Sequence, residues 1–372
     1  MIKTGSDFSG VGAFDQALRK LGIDYQTVYA CDWDKYSRQT YIENYGKPKY
    51  FPKDVYEREI PKESLDIYMT SPPCQAFSLA GKRKGEDDER GILFYNSHEF
   101  IQKNNPRYFI FENVRGLLSD ANGVTFKVWL DMLGGKSVNG NPVLFPNEKS
   151  TPYHIYWQVL NAKHYGVPQN RERVFIIGIR DDADNTFRFP KTQHLTKKLK
   201  DVLEDNVEDK YFLSEKMLSD ITYLKKSNGE VANLNKGGER GSVYTEDTDI
   251  MSCLSATDYK QPKQIQVTNN KRVNQVVQLN QCKESGGKQP YQQNRMYDIN
   301  GINPALNAGQ SAWGGNIINT KQIRRLTPRE CFRLMDFPDT FKWSVSDTQA
   351  YKQAGNSIVV NVLAEIIKKL KL

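Results

Sequence analysis

Short apolar runs recur along the first half of this chain with helix-like stretches between them, and that alternation constrains the fold more than any other feature. YQTVYA (25–30), LDIYM (65–69), YFIF (108–111), HIYWQVL (154–160) and RVFIIGI (173–179) each have the length and composition of a buried strand. Residues 7–21, DFSGVGAFDQALRKL, pass from a glycine-rich loop into a helix. Phe14, Ala17, Leu18 and Leu21 share one face there, and Gly22 is a stop. A second helical stretch is expected around 92–103, another over 327–335, and a buried strand or helix over 356–370. Strands alternating with helices predict an α/β fold, a mainly parallel, doubly wound sheet. Such sheets bind ligands beyond the carboxyl ends of their strands. The residues that end the runs therefore matter most: Cys31-Asp32-Trp33, Pro72-Pro73-Cys74 and Glu112.

The segment 190–320 differs, being rich in Asn, Gln, Lys and Gly, and it carries a weak repeat between 242–256 and 295–308. The expected organisation is a catalytic and cofactor-binding domain of 1–189 with 322–372, split by an inserted domain of 190–321. A chain of 372 residues suits one large domain plus a smaller one. No apolar run approaches the roughly 20 residues of a membrane helix, and MIKTGSDFSG lacks the apolar core of a signal peptide. A cytoplasmic protein with no membrane partner is expected. Cysteines 31, 74, 253, 282 and 331 form no CxxC pair and the histidines show no metal spacing, so neither a disulfide framework nor a metal site is expected. Lys and Arg number 52 against 44 acids, a net charge of +8, which leans weakly toward a polyanionic partner, DNA or RNA.

Ser9-Gly10-Val11-Gly12 is a shortened dinucleotide fingerprint, and Asp32 follows Gly10 after a second strand, at about the spacing that lets a carboxylate take a ribose diol. Trp33 beside it suits stacking on a purine, or alternatively a place in the core. A pyrophosphate-binding third glycine is missing, since that position is Asp15. The expectation moves from NAD to a nucleoside without a phosphate, such as S-adenosylmethionine. Asp54 either holds an adenine amino group or is a solvated turn acid. Cys74 follows a strand stopped by two prolines. A free cysteine is more often a small buried hydrophobe than a nucleophile, but a thiol beside a carboxyl group suits covalent catalysis with proton transfer. Arg171 and Arg173, in QNRER (169–173), stand at the start of the RVFIIGI strand; they face the same rim only if that strand runs antiparallel, and are otherwise surface charge.

Together these blocks resemble the cytosine-C5 DNA methyltransferases, of the bacterial or phage restriction-modification type. DFSGVGAF (7–14), CDWDKYS (31–37), SPPCQAFS (71–78), ENV (112–114), QNRER (169–173), LTPRECFRLMDFP (326–338) and QAYKQAGNSIVV (349–360) stand in the family's order. The resemblance implies an S-adenosylmethionine-dependent Rossmann-like sheet with one antiparallel strand and a smaller target-recognition domain. It makes Cys74 the nucleophile on cytosine C6 and Glu112 the group on the N3 edge. Arg173 would face O2 with Arg171 nearby, and no residue is assigned as the base that removes the C5 proton. It places Phe8, Gly10, Gly12, Asp32, Trp33, Asp54, Val55, Pro73, Asn356 and Ser357 around S-adenosylmethionine, which leaves as S-adenosylhomocysteine. Double-stranded DNA with a flipped-out cytosine is the implied substrate, the protein acting as a monomer, with a cognate restriction endonuclease encoded nearby. The loop 79–91 would close over the DNA. The other cysteines read as structural. A tRNA cytosine-C5 methyltransferase and, less well supported by ENV and QNRER, an exocyclic-amino DNA methyltransferase are the alternatives. SPPC in place of the commoner GFPC, the polar strand IKTGS, and Asp336 where glycine is usual depart from the family pattern.

Overall fold

The computed structural model describes residues 1–73, 92–212, 232–233, 242–245, 251–254, 264–268, 296–298, 316–318 and 321–372. Cys74, Cys282, the 79–91 loop and most of the 242–308 repeat lie outside the described residues. Two compact units emerge: 1–198 with 249–259 and 328–372, and 199–248 with 260–327. The first break falls at 199 rather than the expected 190, because Gln193 N–H donates to His164 O at 2.9 Å and Tyr165 OH to Pro190 O at 3.1 Å. Residues 249–259 return to the first unit, where Met251–Ser252 pairs in parallel with Gln169–Asn170.

The first unit is built on strands β1 (Ile2–Asp7), β2 (Tyr25–Cys31), β3 (Ile67–Thr70), β4 (Tyr108–Val114), β5 (Ser137–Val138), β6 (Asn141–Pro142), β7 (Tyr153–Asn161), β8 (Gln169–Asn170) and β9 (Glu172–Arg180). Eight of them form one sheet in the order β2-β1-β3-β4-β9-β7-β5-β6. β2, β1, β3 and β4 are parallel neighbours, and β9 runs antiparallel to both β4 and β7. The mainly parallel sheet with β9 reversed thus matches the expectation; the short edge hairpin β5-β6 adds a third antiparallel pair to the two that β9 makes. Helices α1 (Ala13–Lys20), α2 (Lys35–Tyr45), α3 (Ile92–Asn104), α4 (Val124–Leu133), α5 (Pro328–Arg333), α6 (Asp347–Asn356) and α7 (Val360–Ile367) complete the unit. The 356–370 segment is therefore a helix, and α6 over QAYKQAG is one that apolar periodicity did not reveal.

β3 is buried along its whole length, as a central parallel strand covered on both faces must be. The core between sheet and helices is aromatic: Tyr68 stacks on Phe100 at 4.1 Å and Phe94 on Trp129 at 4.3 Å. The polar β1 nevertheless sits inside the sheet, because its buried groups find partners. Asp7, 1% exposed, accepts the hydroxyls of Tyr29 and Tyr68 at 2.5 and 2.6 Å and pairs with Arg58 at 3.0 Å. Asp336 explains the family's usual glycine there: its φ is +63°, in the left-handed region, and its carboxylate pairs with Lys20. In the second unit, Ala232–Asn233, Ser242–Thr245, Gln264–Thr268 and Lys321–Arg325 form a four-stranded sheet in that order.

Candidate active site

The loop after β1 is bent by three left-handed residues, Phe8 (φ +53°), Gly10 (+53°) and Gly12 (+83°). At Gly12 a Cβ would stand 2.3 Å from the Tyr45 ring, so only glycine fits. A left-handed phenylalanine is costly, and such strain gathers at functional sites. The loop is stitched to the end of β2: Ser9 N–H donates to Cys31 O at 3.0 Å and Gly10 N–H to Asp32 Oδ2 at 2.8 Å. Asp32 Oδ1 accepts Asp34 N–H at 2.9 Å. Each carboxylate oxygen retains a lone pair for another donor. Burial raises the Asp32 carboxyl, against the pull of the two amides. Trp33 stands 85% exposed next to it, so its reading as a core residue is overturned. Asp15 is buried and accepts the Thr27 hydroxyl at 2.6 Å, so a buried carboxyl group stands where the third glycine of a dinucleotide fingerprint would be.

Asp54 is exposed and its Oδ1 accepts Tyr56 N–H at 2.9 Å, the bonding of a turn acid. Val55 is buried, and its carbonyl accepts Arg58 Nη1 at 2.6 Å. Since Arg58 also pairs with Asp7, the 54–58 turn is tied to the residue preceding Phe8. Asn356 is exposed at the end of α6 and Ser357 buried beyond it.

β3 and β4 are parallel neighbours, with Thr70 opposite Phe111. Glu112 lies inside β4 rather than after it, because pairing with β9 continues to Val114↔Arg173. That antiparallel register meets the condition set by the sequence and brings Arg173 to the rim: its Nε lies 3.1 Å from Glu112 Oε1. Glu112 is 7% exposed; burial raises its carboxyl above the usual glutamate value, and Arg173 and then Arg171 oppose the shift. Asn113 Nδ2 donates to Pro72 O at 3.3 Å, so the chain leaving β3 toward Cys74 is fastened one residue from Glu112. Pro73 is exposed.

Arg171 is 3% exposed and its fork is already occupied. Nη1 donates to Leu254 O at 2.7 Å and to Cys253 Sγ at 3.1 Å; Nη2 donates to Ser357 O at 2.6 Å and to Gly355 O at 3.1 Å. Burial and the neighbouring Arg173 push its pKa down to about 10. It is not the surface charge that a lone arginine suggests. Cys253, half-buried, also lies 3.9 Å from Arg173 Nη2.

The structure thus joins Gly10 to Asp32, Val55 to the foot of the glycine loop, Pro72 to the flank of Glu112, Arg173 to Glu112, and Arg171 to Ser357. Asp7, Arg58, Asn113 and Cys253 were missed. Asp7 and Asn113 lie inside DFSGVGAF and ENV, where an acid at a strand's end and an amide beside Glu112 were the available signals. Arg58 and Cys253 carried none.

Comparison with known proteins identifies the family and agrees with the fold. The profile of the C-5 cytosine-specific DNA methylases matches residues 2–372. The type II methyltransferase M.HhaI of Haemophilus parahaemolyticus is 33% identical, covering 96% of this chain and 91% of its own. The type II methyltransferase M.Bsp6I of a Bacillus strain is 32% identical over 100% and 98%, and the orphan methyltransferase M.SPRI of Bacillus phage SPR 30% over 99% and 97%. Among solved structures, the S. pombe Dnmt2 methyltransferase shares the fold with a TM-score of 0.62 at 18% identity, covering 99% of this chain and 97% of its own. With one motif set running the length of the chain and a matching sheet beneath it, this protein belongs to the C-5 cytosine-specific DNA methylase family.

Proposed function

We propose that this enzyme transfers a methyl group from S-adenosylmethionine to C5 of a flipped-out cytosine in a specific short sequence of double-stranded DNA, through a covalent bond between Cys74 and C6. The observation that carries the proposal is the ion pair of buried Glu112 with half-buried Arg173, beside the Asn113-fastened exit of β3. Two of the relatives are type II methyltransferases and one an orphan phage enzyme. The restriction-modification setting follows from them, with a restriction endonuclease encoded nearby if the chain is of type II.

Cytosine C5 is too poor a nucleophile to take a methyl group unaided. Attack by the Cys74 thiolate on C6 forms an S–C bond and drives the electron pair of the C5–C6 double bond into C5. Negative charge spreads toward N3 and O2. A glutamate whose pKa is raised by burial holds a proton for N3. Arg173, fixed by that glutamate, faces O2. S-adenosylmethionine supplies the electrophilic sulfonium methyl group. Loss of the C5 proton to water then restores the double bond and expels Cys74. The residues fit such a nucleoside: Asp32 has lone pairs for the ribose hydroxyls, Trp33 presents an exposed indole, and the loop of Phe8, Gly10 and Gly12 lets the ligand approach the backbone. Asp54, Val55, Pro73, Asn356 and Ser357 line the rest. The target base must leave the duplex, at a cost of a few kcal/mol. The second unit, 199–248 with 260–327, carries target recognition, and the enzyme acts as a monomer in the cytoplasm.

Bisulfite sequencing of DNA from cells expressing the protein, beside Cys74→Ala, tests this. Unconverted cytosines in one short recurrent context, lost in the variant, are expected. Complete conversion would overturn the reading, and methylation of tRNA instead would establish the family alternative.

A further inference from the structure

The block 169–173 does more than present Arg173. Gln169 is fully buried and its amide is divided: Nε2 donates to Leu334 O at 2.8 Å, while Oε1 accepts Leu254 N–H at 3.2 Å. Met251 N–H donates to Pro168 O at 3.0 Å. Two residues on, Arg171 grips Leu254 O with one nitrogen and the carbonyls of Gly355 and Ser357 with the other. Three segments far apart in sequence meet on these two side chains: 251–254, 334–335 and 355–357. The first is the stretch of the first unit that interrupts the second in sequence; the last carries Asn356 and Ser357.

We propose that Arg171, seconded by Gln169, is a positioning residue that locks the 251–254 segment to the 355–357 turn, so that cofactor binding at the turn is felt in the segment from which the recognition unit resumes. The cofactor clause rests on the function proposed above; the lock itself does not. A guanidinium suits the task because its planar fork addresses two sides at once, whereas a lysine has one nitrogen and reaches one side. Its Nη contacts are all to the protein, the arrangement of a positioning residue, while Arg173 is the arginine that pairs with Glu112.

The test is amide hydrogen exchange on the full chain, comparing wild type with Arg171→Ala, Arg171→Lys and, as a control, Arg115→Ala. Arg115 makes an exposed pair with Glu172 beside the same strand. Without ligand, the amides of Met251, Leu254 and Ser357 are expected to exchange faster in Arg171→Ala by about tenfold or more, the effect of losing charge-assisted hydrogen bonds. Arg171→Lys should restore one segment at most, and Arg115→Ala should loosen neither. Central β4 and β9 amides should not change, which separates unlocking from unfolding. With S-adenosylhomocysteine added, protection should spread to 251–254 in wild type and Arg115→Ala, and stop at the turn in Arg171→Ala. Loosening of only one segment in Arg171→Ala, or undiminished spread of protection, overturns the lock. If S-adenosylhomocysteine does not bind wild type, the proposed function fails, and the ligand-free comparison still decides the lock.

Discussion

Removing Arg58 offers a severe test of how β1 is held in the sheet. The Arg58 and Asp7 side chains are 2% and 0% exposed and 3.0 Å apart. Burial raises the Asp7 carboxyl, while Arg58 and the hydroxyls of Tyr29 and Tyr68 pull it down. Three donors converge on this group, and a carboxylate, which only accepts, is the form that satisfies them all. Arg58→Met leaves that carboxylate buried without a counter-charge, which costs about 3–5 kcal/mol. The carbonyls of Val55 and Asn96 lose their donor as well. Adding Asp7→Asn removes the stranded charge and keeps an acceptor for one tyrosine. The double variant should therefore be more stable than Arg58→Met alone, by about 1.5–3 kcal/mol, a coupling expected only of groups in direct contact. Two units make a single global transition unsafe to assume, so the assay is native-state amide exchange of β1 and β3. A coupling under about 0.5 kcal/mol, the scatter of independent sites, would refute the ionised pair. The cost of Arg58→Met should also shrink as pH falls and Asp7 takes up a proton.

Glu112→Gln should abolish methyl transfer. Because the folded glutamate's pKa is raised, its contribution to stability is full below the ordinary glutamate value and lost as pH rises through the folded one. Urea unfolding across pH 4 to 8 should show wild type losing stability relative to Glu112→Gln in that direction. Trp33→Ala should weaken S-adenosylhomocysteine binding in calorimetry by about tenfold, the worth of about 1.4 kcal/mol of stacking and burial. Its melting temperature should not move, since the indole is 85% exposed. Asp336→Ala should melt below Asp336→Gly, the difference being about 1–2 kcal/mol for a Cβ in the left-handed region; equal stabilities would show that the φ of +63° carries no strain.

Local sequence order sets the strand–helix alternation and places Asp32 after one strand and Glu112 late in another, although Glu112 proved to lie inside its strand rather than after it. These follow from local rules: apolar runs bury, prolines stop ladders, and parallel strands put their ends on one side. Local order also sets the condition that Arg173 reaches the rim only on a reversed strand, but the sheet alone meets it, through the register Val114↔Arg173. Tertiary structure alone divided the two arginines of QNRER, one on the Glu112 rim and one inside a lock made by residues more than 80 positions away. It alone explained how an aspartate survives in β1, since Arg58, Tyr29 and Tyr68 come from three different segments. The same holds for the return of 249–259 to the first unit. Chain order does not record which distant donors will be within 3 Å of a buried acceptor; packing does. Periodicity and motif spacing report a residue's neighbours along the chain, whereas the partners that satisfy a buried charge or carbonyl are chosen only when the elements close on one another.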